Sequence, residues 1–130
     1  MGEPDEAVDA VARTVVDASP AVHRALGPGL LESVYERCLV HELEIRGVAH
    51  ARQVTVPVRY RGLELETGFR MDLLVGGAVA VELKAVEQML PIHDAQLLTY
   101  LKLTGLRIGL LINFNVPLLK HGIRRLIAPA

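Results

Sequence analysis

Residues 70–84, Arg70-Met-Asp-Leu-Leu-Val-Gly-Gly-Ala-Val-Ala-Val-Glu-Leu-Lys84, read as a strand, a glycine turn and a second strand. Phe69, Met71, Leu73 and Val75 alternate with other residues on the first strand, and Val79, Val81 and Leu83 do so on the second. This period-2 pattern is the signature of a half-buried hairpin. A loop of Gly76-Gly77-Ala78 sets Val75 opposite Val79, Leu73 opposite Val81 and Met71 opposite Leu83. A loop one residue shorter would send every side chain to the wrong face. The same register sets Asp72 opposite Glu82 and Arg70 opposite Lys84. Facing carboxylates repel unless something neutralises them. A divalent metal would do so. Salt bridges to Arg70 and Lys84, or a solvated polar face, are the alternatives.

The pattern extends outward in both directions. Residues 4–18 predict a helix, with Pro4 in its first turn and Val8, Val11, Ala12, Val15 and Val16 as its apolar stripe. Ser19-Pro20 reads as a cap and restart of a short helix to Leu26, and Gly27-Pro28-Gly29 as a break. A second helix is expected over Leu30–Arg46, burying Leu31, Val34, Tyr35, Cys38, Leu39 and Leu43. Glu32 and Tyr35 lie three apart on its surface. Val54, Val56, Val58 and Tyr60 predict a strand that turns at Arg61-Gly62 and pairs with Leu63, Leu65 and Phe69. Pro57 marks that strand as an edge. With the hairpin, this makes a three-stranded antiparallel meander. Pro91 to Thr104 predicts a helix stopped by Gly105, with Leu97, Leu98 and Leu101 buried and His93, Gln96 and Tyr100 on a polar line. The apolar run from Arg107 to Phe114 suits a strand buried on both faces, parallel to its predecessor. Val116 to Ile127 is expected to be a short strand or turn.

The fold class that follows is α/β (α+β): helix, three antiparallel strands, helix and strand, giving a mixed sheet flanked by helices. One domain is expected over residues 1–130. Basic and acidic residues nearly balance, at 14 and 15, so bulk charge does not advertise nucleic acid. The last thirty residues nevertheless carry Lys102, Arg107, Lys120, Arg124 and Arg125 and no acid. These five are candidate phosphate-facing cations. The single cysteine, Cys38, excludes a disulfide framework and reads as a buried structural thiol. The acidic N-terminus lacks an apolar signal core, and no apolar run reaches the roughly 18 residues of a membrane span. A cytoplasmic location without membrane attachment is the expectation.

Several stretches then resemble a known family. Gly29-Leu-Leu-Glu32-Ser-Val-Tyr35 matches the G-x-x-E-x-x-Y signature of the small bacterial GxxExxY proteins. Val22–Gly29, Glu82-Leu-Lys84-Ala85, Gln96-Leu-Leu-Thr-Tyr100-Leu and Leu110-Leu-Ile-Asn113-Phe-Asn115 are also similar to that family, over about residues 8–127. The family is placed in the PD-(D/E)xK nuclease superfamily, whose core has the element order read above. The resemblance implies that Asp72 and Glu82 are the metal-binding carboxylates and Lys84 the catalytic lysine. It implies that Glu32 is the helix-borne acid of some branches, serving the metal or its water. Gln96 and Tyr100 match the Q-x-x-x-Y motif of the exonuclease-like branch. The Leu83 backbone carbonyl would be a further ligand. Met71 replaces the proline that names the motif, and Pro20 splits a helix that is continuous in many relatives.

The expected cofactor is Mg²⁺ or Mn²⁺. Mg²⁺ takes oxygen ligands at about 2.0–2.1 Å and binds through one or two carboxylates plus phosphate oxygens. A metal-bound water has a lowered pKa and can attack phosphorus. Lys84 could orient that water or stabilise the developing charge. Tyr100 could stack on a strand end, and Gln96 could fix the attacking geometry. The expected activity is phosphodiester hydrolysis in DNA, RNA being the lesser expectation. A non-catalytic nuclease-fold adaptor acting through a protein partner or a homodimer is the alternative.

Overall fold

The computed structural model describes residues 3–66 and 69–129. A five-stranded mixed sheet in the order β1-β4-β5-β6-β7 forms the centre. Its strands are β1 (His50–Thr55), β4 (Arg70–Val75), β5 (Val79–Lys84), β6 (Ile108–Asn113) and β7 (Ile123–Ile127). Among the described residues, only the β5–β6 pair is parallel. Helices α1 (Glu6–Leu26) and α2 (Glu32–Ile45) cover one face, where Val15, Val22, Tyr35 and Leu39 pack on Leu73, Val81, Leu83 and Leu110. Helix α3 (Pro91–Thr104) covers the other, setting Leu97, Tyr100 and Leu101 against Ala80 and Leu111. Layered burial on both faces explains why β6 is apolar at every position but its last and why all six residues are buried.

The glycine turn of the hairpin is as expected. Val75 pairs with Val79 and Leu73 with Val81 around the Gly76-Gly77-Ala78 loop. Gly76 and Gly77 both take positive φ, 60° and 65°, a region that side chains other than glycine rarely enter. Gly109 serves a different need. A Cβ there would meet Leu97 Cγ at 2.9 Å, so the missing side chain lets α3 seat against β6.

Five expectations are corrected. Helix α1 runs unbroken through Pro20, although proline removes one amide donor. Asp5 caps the start by accepting from the Val8 amide, and the neighbouring Ser19 hydroxyl turns inward to the Val15 carbonyl. Continuous burial of Val15, Ala18, Ser19 and Val22 outweighs the lost bond. The strand expected from Val54 to Tyr60 is broken at Pro57. Its first part is β1, an edge strand of the sheet, and pairs Val54 with Met71 rather than Phe69. Its second part, β2 (Val58–Tyr60), pairs with β3 (Leu63–Leu65) in the predicted register but as a separate two-stranded ribbon. The meander is therefore β1-β4-β5. On α2, Leu31 and Val34 are exposed and Cys38 is half-buried, because the helix starts at Glu32 and turns Glu36 inward instead. On α3, Leu98 is exposed and Tyr100 takes its place in the core.

The fifth correction concerns the hairpin's open end. Met71 was expected on the face of Leu83, yet it packs with the α3-side core while Leu83 packs on the α1/α2 side. The alternation changes hands across Asp72, where the regular ladder stops.

Candidate metal centre and nucleic-acid site

The ladder stops because carboxylates occupy it. The Asp72 amide donates to Glu82 Oε2 at 2.7 Å, and the Leu83 amide donates to Asp72 Oδ2 at 2.7 Å. Each strand thus gives its backbone N–H to the other strand's side chain, and both acids are held between β4 and β5. In a strand, a residue's N–H and C=O point to the same side. The Leu83 carbonyl therefore opens toward Asp72. The next carbonyl, that of Lys84, points the other way and accepts from the Phe114 amide at 2.9 Å.

Glu82 is buried, with 7% of its surface exposed, and Asp72 is half-buried. Burial first, and then the charge of Asp72, push the Glu82 carboxyl up to about 8, against weaker lowering by the Asp72 amide and Lys84. Asp72 is raised chiefly by burial, opposed by the Leu83 amide and Lys84. Glu32, at the first position of α2, is raised by burial and by Asp72, with Lys84 opposing. The Tyr100 phenol is raised by burial and then by Glu82 and Asp72. These mutual effects bring Glu32, Asp72, Glu82, Lys84 and Tyr100 into one electrostatic neighbourhood. Among the described residues, none of the three acids forms an ion pair with Lys, Arg or His. The expected alternative of salt bridges from Arg70 or Lys84 is not what the structure shows.

Tyr35 and Asn113 hold the segments on either side of the acids. The Tyr35 hydroxyl donates to the Gly27 carbonyl at 2.6 Å and accepts from the Leu30 amide at 3.1 Å. Its ring stacks on Phe114 at 4.6 Å between centroids. Tyr35 thereby ties down the turn that launches Glu32. Buried Asn113 accepts from the Val86 and Asn115 amides and donates to the Val86 carbonyl, anchoring the chain just past Lys84.

A profile of the PD-(D/E)XK nuclease superfamily matches residues 9–126. The chain belongs to that superfamily. No curated protein and no solved structure matches it significantly. Membership in this nuclease superfamily implies a nucleic-acid substrate, and its members typically depend on a divalent metal. The residues present fit such an ion. Buried Glu82 and half-buried Asp72 face each other without a paired basic side chain among the described residues, and a backbone carbonyl opens beside them. Among the described residues no three His, Cys, Asp or Glu side chains form a ready cage. A hard divalent cation needs none, since one or two carboxylates with water and phosphate complete its shell.

Gln96 makes no side-chain hydrogen bond with the acids among the described residues. It is exposed and lines, with Tyr100, Val58, Phe69 and Ile92, an apolar cleft of about 430 Å³. The five C-terminal cations are not gathered into one surface. Arg124 pairs with Asp94 on the α3 face, and Arg125 pairs with Asp9 on the α1 face. Adjacent strand residues point to opposite faces, so β7 divides them. Lys102 and Arg107 line a cleft at the C-terminal end of α3, and Lys120 lies exposed on the 3₁₀ turn Leu119–His121. Among the described residues, no helix is long and apolar enough to cross a membrane.

Sequence reasoning passed over three residues beside Asp72. Glu36 is buried and receives Arg52 at 2.9 Å and the Gln53 amide at 2.8 Å. A signal existed, because Glu36 lies one helical turn after Glu32 on the same face.

Proposed function

We propose that this chain is a Mg²⁺- or Mn²⁺-dependent nuclease that hydrolyses phosphodiester bonds in DNA, within the GxxExxY branch of its superfamily. The observation that carries the reading is the pair Asp72 and Glu82, a half-buried and a buried carboxylate braced against each other with no lysine, arginine or histidine paired to either among the described residues. Asp72, Glu82 and the Leu83 carbonyl would hold the ion, with Glu32 facing them from α2. A divalent cation there supplies Lewis acidity at the scissile phosphate and lowers the pKa of water. Lys84 stabilises negative charge developing on the phosphate and is fixed for that task by the Asn113 anchor. Tyr100 has its ring on the apolar cleft and its phenol in the field of the acids, so it can orient a strand end. Gln96 contributes from the rim.

The test is cleavage of single-stranded, duplex and branched DNA, and of RNA, with Mg²⁺, Mn²⁺ or chelator. Metal-dependent cutting that Asp72→Ala and Lys84→Ala abolish without unfolding is the expected result. A folded wild-type chain that cuts none of these substrates overturns the reading.

Two observations favour a second reading, a nuclease-fold adaptor. The β2–β3 ribbon exposes Tyr60, Leu63 and Leu65, and Arg124 and Arg125 are already neutralised by acids. A partner protein or second copy would cover such a ribbon. Nucleic-acid binding that barely changes with salt would support it, because phosphate contacts release counterions and make affinity salt-dependent.

A further inference from the structure

Gln53 lies in the middle of β1 with φ of 51°, in the left-handed region that residues other than glycine rarely occupy. Arg61, the other such residue described, sits in a turn where this conformation is ordinary. In a strand it is a strain, and strain of this kind persists only where surrounding contacts hold it. Here the contacts are explicit. The Gln53 Nε2 donates to Glu36 Oε1 at 2.8 Å. Glu36 is itself held at Oε2 by Arg52, from Nε at 3.0 Å and from the guanidinium terminus at 2.9 Å. The same Gln53 amide lies near enough to the Asp72 carboxyl to lower it, as the smallest of the influences on that group. Flanking pairs Arg52–Leu73 and Val54–Met71 set Gln53 directly across from Asp72.

A side-chain amide is the neutral group with two N–H donors on one atom. It can therefore bridge two carboxylates, where a carboxylate would repel both and a hydroxyl could serve one. We propose that Gln53, clamped by Glu36 and Arg52, is the positioning residue that aims the Asp72 carboxylate into the metal site. The inference rests on the metal-site reading above. The left-handed conformation at Gln53 is held by the bond from its amide to Glu36 on α2.

Two variants separate positioning from folding. Gln53→Gly removes the amide but is at ease with positive φ, whereas Gln53→Met keeps the length and the strain without donors. Two measurements are made on each. In metal-free protein, exchange of the Leu83 amide, which Asp72 holds, is expected to quicken about tenfold while β6 amides are unchanged. Mn²⁺ affinity, followed by calorimetry, is expected to fall about 10–100-fold in both variants, as for other groups that orient a ligand. Wild-type affinity and exchange in Gln53→Gly overturn the proposal, even if Gln53→Met is merely less stable. A wild-type chain that binds Mn²⁺ while both variants match it defeats this inference alone. A wild-type chain that binds no Mn²⁺ defeats the metal site as well.

Discussion

Asp72 and Glu82 are joined through the backbone: the Asp72 amide donates to Glu82 Oε2 at 2.7 Å, and the Leu83 amide next to Glu82 donates to Asp72 Oδ2 at the same distance. The hairpin thus gives up ladder bonds to hold two acids that repel. Such an arrangement costs stability, and the cost is what a bound cation would recover.

Glu82→Gln should therefore separate stability from activity. The amide oxygen can still accept from the Asp72 amide, while the buried charge and its repulsion are gone. Thermal unfolding at about pH 8 without metal should shift upward by several degrees, a gain of order 1 kcal/mol or more. Metal-dependent cleavage should fall at least about a hundredfold. A variant that is less stable than wild type at this pH would contradict the account.

Stability should also depend on pH in a stated direction. Glu82 moves from 4.5 to about 8 on folding, so between these values the folded state keeps a proton that the unfolded state has lost. Stability then falls as pH rises through this window, and Asp72 and Glu32 shift the same way. Calorimetry with chelator should give a higher melting temperature near pH 5 than near pH 8. Glu82→Gln should flatten this slope. Mg²⁺ should stabilise wild type most at the alkaline end, with proton release on binding.

Lys84→Met should keep the fold, because the side chain is half-buried and in no ion pair among the described residues. Loss of one charge stabiliser should lower the cleavage rate by about 10²–10³. Mn²⁺ affinity should not weaken, since a positive neighbour has been removed. Single-turnover rates and calorimetry check the two halves separately.

Tyr35→Phe should act at a distance. It deletes the bonds to the Gly27 carbonyl and Leu30 amide while keeping the stack on Phe114. A loss of about 1–3 kcal/mol in denaturant unfolding is expected. Cleavage should also slow at temperatures where the variant remains folded, because the loosened turn launches Glu32.

Gly109→Ala should destabilise by about 1–3 kcal/mol, through the overlap of a new Cβ with Leu97. Urea unfolding measures it directly.

Much of this protein was written in its periodicities. The alternation from Leu73 to Val81 set the three-residue turn and brought Asp72 and Glu82 to one place, because only that register buries the valines together. The continuous apolar run of β6 announced a strand covered on both faces, and Pro91 and Gly105 bounded α3. Local signals failed where tertiary contacts outweighed them. Ser19-Pro20 has the form of a helix start, yet burial of α1 against the sheet carries the helix through it. Pro57 turned one expected strand into an edge strand and a separate ribbon. Tyr100 rather than Leu98 lies in the core, its ring packed with Leu97 and Leu101 while its phenol feels the charge of the acids. The opening of the ladder at Asp72, the left-handed Gln53, the Glu36 clamp and the division of Arg124 from Arg125 depend on partners distant in sequence. Pattern along the chain determines which side chains share a face; only the folded molecule decides which of them leave the ladder, because that choice balances buried charge against backbone bonds from three different segments.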